Sequence, residues 1–172
     1  MKKYFAWIAI LSILCPLSLT APNLEAQVKD PGTTAPAASN SLVISQVQPG
    51  VTGNATDEFV EIHNISANPI DLNGYRLVYR SQNGSADLTF FAWGASTVVQ
   101  PGHFFLVASN VYSGAAAADS VYNPAACSCS MSASNGGLAI RQGLADTGTI
   151  IDAVGWGTGS NIFFEGDRKS TR

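Results

Sequence analysis

The chain has 172 residues, 46% of them hydrophobic and only 12% charged, with a formal net charge of −3. Nine Lys/Arg against twelve Asp/Glu give a surface that repels phosphate backbones, since nucleic-acid affinity rests on clustered basic side chains that release counterions. A nucleic-acid partner is therefore not expected, and the lack of 3.6-residue periodicity or of a solenoid repeat excludes helical and repeat architectures.

Lys2 and Lys3 precede an apolar run from Phe5 to Leu19, followed by small residues near Ala21 and Ala26. This charged, apolar, small order is that of a secretory signal peptide, expected over 1–26 and placing the protein outside the cytoplasm, extracellular or periplasmic. The run is short of the roughly 20 apolar residues of a membrane span, and Leu14 before Cys15 argues against lipid attachment. Without residues 1–26 the balance is 9 − 2 = 7 basic against 12 − 1 = 11 acidic side chains, a net charge near −4. Residues 27–40, QVKDPGTTAPAASN, carry nothing to bury and read as a flexible linker.

A domain is expected over 41–166. Leu42–Val47 forms a first strand and the Gly/Pro-containing stretch 48–56 a loop. The run 57–64, DEFVEIHN, alternates so that Val60 and Ile62 share one face and Phe59, Glu61 and His63 the other. A turn cluster with Asp71, Asn73 and Gly74 leads to a third strand over 75–80. There Tyr75, Leu77 and Tyr79 oppose Arg76, Val78 and Arg80. The pattern puts Val60, Ile62 and Leu77 in the core, with Glu61 and His63 near Arg76 or Arg80 as a cross-strand charge group. Short strands follow over 88–93, 97–99 and 103–108. Residues 109–134 read as largely irregular, with one short strand near Val121. Strands over 138–142 and 149–154 end in the Gly155-Trp156-Gly157 turn, and a charged tail occupies 167–172. Short strands spaced by Gly/Pro/Asn turns describe a β-sandwich or barrel.

The ordered pieces LVISQV (42–47), DEFVEIHN (57–64), PIDLNGYRLVYRS (69–81), QPGHFFLVAS (100–109), GGLAIRQ (136–142) and GTIIDAVGWGT (148–158) resemble the lamin tail domain, notably its secreted bacterial members. The resemblance implies an all-β, immunoglobulin-like β-sandwich that serves binding or attachment, with no enzymatic activity of its own. Such members continue past the GW-G segment through a proline-rich stretch to a final strand. Here the chain runs out at Arg172, so either the last strand is missing or replaced, or the coding frame ends early. A missing strand would leave an open edge that invites strand addition or self-association.

Residues able to carry chemistry are few. His63 and His103 form no HxH or HExxH pair, and a zinc site needs three or four converging ligands. No GxSxG elbow marks a nucleophile. The GWGTG of 155–159 follows a strand but precedes no helix, so it reads as a turn rather than a phosphate loop. Asp57, Glu58 and Glu61 form an acidic group without the DxDxDG loop of a calcium site and are expected at a solvated edge with a charge pair. Cys127 and Cys129 are either a local disulfide, awkward across one residue, or two exposed thiols, with redox or metal capture as the functional alternative. Trp93 and Trp156, with Tyr75 and Phe91, would form a carbohydrate or peptide platform if exposed, but aromatics of a sandwich are expected in its core. No catalytic, cofactor or metal residue is assigned, no cofactor is expected, and the partner is an unidentified protein or glycan. The alternatives are an accessory piece of an extracellular nuclease or phosphatase, and a self-associating envelope protein.

Overall fold

The computed structural model describes residues 39–163. The expected leader over 1–26, most of the linker and the 167–172 tail lie outside them, as does the question of a final strand. Within the described residues ten strands and one short helix form three sheets. The strands are β1 (Leu42–Val51), β2 (Asn54–Asn64), β3 (Ile70–Asp71), β4 (Tyr75–Ser81), β5 (Leu88–Ala92), β6 (Val98–Val99), β7 (Phe104–Ser109), β8 (Ser120–Tyr122), β9 (Gly136–Gln142) and β10 (Thr149–Trp156), with α1 (Pro124–Cys127) between β8 and β9. One sheet has the order β1-β2-β7-β8, the other β10-β9-β4-β5, and β3 pairs with β6. All pairings are antiparallel except β7 with β8. This is the expected immunoglobulin-like sandwich.

Alternation places the core. Val60 and Ile62 of β2, Leu77 and Tyr79 of β4 and Leu138 and Ile140 of β9 point between the sheets and form one buried cluster with Leu42, Phe90, Trp93 and Val107. Burying each such side chain contributes about 1.5–3 kcal/mol. A second cluster lies on the outer face of β4, β9 and β10, where Phe163 covers Val78, Ala139 and Ala153.

Two expectations fail. Residues 48–56 are not a loop: β1 runs on to Val51 and turns directly into β2 at Asn54. Pro49 and Gly50 misled because β1 is an outer strand, where a missing N–H breaks no ladder, and Gly50 at φ +98° sits where the register shifts between Pro49 and Val51. The cross-strand group of Glu61 and His63 with Arg76 or Arg80 is likewise not formed. β2 pairs with β1 and β7, and β4 with β5 and β9, so the two strands face each other across the core instead of lying side by side. Val60, Ile62 and Leu77 meet as expected, from opposite sheets.

Candidate functional site

The acidic group of β2 is divided by the strand's own alternation. Glu58 has the parity of Val60 and Ile62 and so points inward, 0% exposed. Its Oε2 accepts the Tyr122 hydroxyl at 2.7 Å, and its Oε1 accepts Ser130 Oγ at 2.9 Å and the Met131 N–H at 2.6 Å. Burial, then the hydrogen bond to Glu58 and its charge, push the Tyr122 hydroxyl far above its ordinary pKa. Asp57 faces the other way but is covered by the loop before β8. Its carboxylate accepts both the N–H and the hydroxyl of Ser113, and its carbonyl accepts Gln48 Nε2 at 2.7 Å. The expected solvated edge is therefore wrong for both residues: they are buried anchors for the 109–135 segment. Glu61 is partly exposed and accepts the Ser45 hydroxyl at 2.7 Å.

The histidines do not converge. His63 stacks on the exposed Phe104 ring with centroids 4.1 Å apart, and His103 is an exposed residue of the turn before β7. Among the described residues no group of three His, Cys, Asp or Glu could hold a metal ion. Cys127 and Cys129 are bridged, with Ser128 between them in the left-handed region at φ 50°. Cys129 is buried in the core while Cys127 is half-buried. Asp71 closes a turn as expected, accepting the Asn73 N–H, and also holds the 95–97 loop through Ser96 Oγ and the Thr97 N–H. The Asn73 and Thr97 bonds, then that of Ser96, lower its pKa.

The aromatics divide as well. Trp93 is core, with Phe91 and Phe105 edge-on at 5.1 and 5.9 Å. Trp156 is only half-buried at the sandwich rim, where its Nε1 donates to the Ser132 carbonyl at 2.7 Å. The GWGTG turn is a turn: Gly157 has φ +73°, and Asn135 Oδ1 accepts the Thr158 N–H at 2.8 Å.

The most concentrated charge in the domain escaped the sequence reading. Asp87, in the loop before β5, receives Arg80 Nε and Arg141 Nε, one on each carboxylate oxygen at 2.5 Å. Asp87 and Asp146 also exchange backbone N–H donors, at 2.6 and 2.8 Å. Burial pushes the Asp87 carboxyl up, but the hydrogen bonds from Arg80, the Asp146 N–H and Arg141, with the charge of Arg141, hold it below the usual value. Both guanidinium groups lie over the Phe163 ring, at 5.3 and 5.6 Å. Arg80 thus has Asp87 as its partner, not Glu61. No periodic signal marks an isolated loop aspartate; only the two arginines on the outer parity of β4 and β9 hint that a carboxylate must reach them.

Among the described residues a groove of about 890 Å³ opens between β1 and β10, the outer strands of the two sheets on one side. The strands are joined where the Ile44 N–H donates to Asp152 Oδ2 at 2.6 Å. A register shift lies at the same level in each: between Ile44 and Gln46 in β1, and between Ile150 and Asp152 in β10.

The order of strands, the two-sheet packing and the sequence pieces now stand beside a family comparison: the model of the lamin tail domain matches residues 35–158. The chain belongs to the lamin tail domain family. That family is immunoglobulin-like and generally non-catalytic. No curated protein matches this lamin tail domain significantly. No helix among the described residues is long and apolar enough to cross a membrane.

Proposed function

We propose that this lamin tail domain is a secreted, non-catalytic module that binds or attaches to an extracellular or envelope partner, protein or glycan, with residues 27–40 as its tether. One observation carries the reading. Asp57, Glu58 and Glu61, the residues best suited to acid–base or metal chemistry, are each occupied by hydrogen-bond donors of the same chain, whereas the groove between β1 and β10 stays open. Secretion rests on the charged, apolar, small order of residues 1–26.

The test expresses the full chain and follows the protein into the medium or envelope. Released protein is expected to bind isolated envelope saturably, and to turn over neither phosphomonoesters nor nucleic acid, with or without divalent cations. Metal-dependent hydrolysis that is abolished at Asp57, Glu58 or His63 would overturn it. Deleting the 109–135 segment is not a usable control, because Tyr122, Cys129 and Met131 from that segment are core residues.

A further inference from the structure

The groove is a place where the core comes to the surface. Ile44 and Val47 of β1 and Val154 and Trp156 of β10 all pack against the main core, yet each is only half-buried. Pro49 and Ser134 complete the wall, and no lining residue carries a charge. A half-covered apolar strip beside two sheet edges is the geometry of strand addition, in which main-chain hydrogen bonds give affinity and alternate side chains enter pockets.

The chain itself shows what covers this core elsewhere. Residues 127–134 read CSCSMSAS, an uncharged run in which Cys127, Cys129, Met131 and Ala133 alternate with serines. Cys129 and Met131 are buried while Ser130 and Ser132 are exposed. The strip reaches the groove at Ala133 and Ser134 and goes no further. The two edges differ in what they can receive. On β1 the Ile44 N–H is already engaged, the register shifts beside Ser45, and Pro49 has no N–H. On β10 the run Asp152–Trp156 keeps unbroken register with β9 and contains no proline.

We infer that the groove binds a short, uncharged, extended segment of another protein, with apolar residues alternating with small polar ones, added as a strand to β10 over Ala153–Trp156. Ile44, Val47 and Pro49 form the opposite wall, against which the inward side chains rest. Charge and composition select against two flanking segments of this chain as the occupant. Five of the nine residues in 164–172 are charged, and 27–38 has no pair of large apolar residues two apart. This inference deepens the proposed binding role and rests on it.

The probe is a blocked peptide in which valine alternates with serine, titrated into isotope-labelled protein released by cells that express the full chain. Saturable amide shifts confined to Ile44–Val47, Ala133–Ser134 and Ala153–Gly157 are expected, with slowed hydrogen exchange over Ala153–Trp156. A peptide N-methylated along its edge-facing side should bind about tenfold more weakly, the loss of roughly one main-chain hydrogen bond. The Val154→Glu variant should lose the peptide while its other amide resonances stay in place. Absent shifts, shifts elsewhere, or equal binding of the N-methylated peptide would overturn the inference, and that last control needs no variant to fold. Groove shifts that grow with protein concentration alone would name a second copy as the occupant and overturn it too. Peptide failure with saturable envelope binding intact sinks only the groove; loss of envelope binding by the unaltered protein sinks the module reading.

Discussion

The Tyr122 hydroxyl donates to Glu58 Oε2 at 2.7 Å inside the sandwich, tying β8 to β2 although β7 runs between them. With Ser130 and Met131 on its other oxygen, the Glu58 carboxylate gathers the whole segment from β8 to β9 against the core. A buried carboxylate in such a position is tolerated only because its acceptor sites are filled.

Removing one donor should therefore cost more than the bond itself. Tyr122→Phe is expected to destabilise by about 1–3 kcal/mol, because Glu58 Oε2 is left without a partner. Glu58→Ala, which strands three donors and opens a cavity, should cost more. Denaturant unfolding with unchanged m measures both. Hydrogen exchange should show the loss first over 123–135.

Alkali should act on the same residue. The folded-state pKa of Tyr122 lies above its ordinary value of 10.0, so the folded form keeps a proton that the unfolded chain releases. The stabilisation is complete below pH 10 and is lost as pH rises above that value. The slope of stability against pH in this range should be smaller in Tyr122→Phe.

Acid tests the other network. The Asp87 carboxyl is held below its ordinary 3.8 by Arg80, Asp146 and Arg141, after burial has opposed them. Its contribution is present above pH 3.8 and is lost as pH falls through the lowered folded value. Asp87→Asn leaves the buried Arg141 guanidinium without its charge partner and Arg80 with only the more distant Asp146 at 3.3 Å, which costs about 3–5 kcal/mol. Thermal unfolding between neutral pH and acid, compared with the unaltered protein, reads both effects.

Two glycines separate backbone strain from crowding. Gly102 has φ +74° and open space where a Cβ would sit; Gly157 has φ +73° but its Cβ would collide with the Ser134 carbonyl and Asn135. Gly102→Ala should cost about 1–2 kcal/mol for the left-handed conformation alone. Gly157→Ala should cost visibly more and weaken the Thr158–Asn135 bond. Equal melting temperatures of the two variants would contradict this.

Much of the architecture was legible because alternation is local. The strands, the inward row Val60, Ile62, Leu77, and the Asp71 turn all follow from period two and turn chemistry. Pairing partners were not legible, since alternation assigns faces and says nothing of neighbours: β2 and β4 are close in sequence yet belong to different sheets. Glu58 could have been placed, for it shares parity with Val60 and Ile62; its charge overrode that signal. Asp87 could not, because its arginines come from β4 and β9, whose pairing only the folded chain defines.

The hydrogen bond between Ile44 and Asp152 joins residues 108 positions apart, and this sets the order of assembly. β1 can pair with β2 as soon as both exist, but its link to the second sheet waits for β10, the last of the described strands. Such a topology folds slowly, because distant segments must meet before their contacts repay the lost entropy. During that wait β1 presents a free edge to any neighbouring chain, so incomplete synthesis is when this sandwich is most open to wrong pairing.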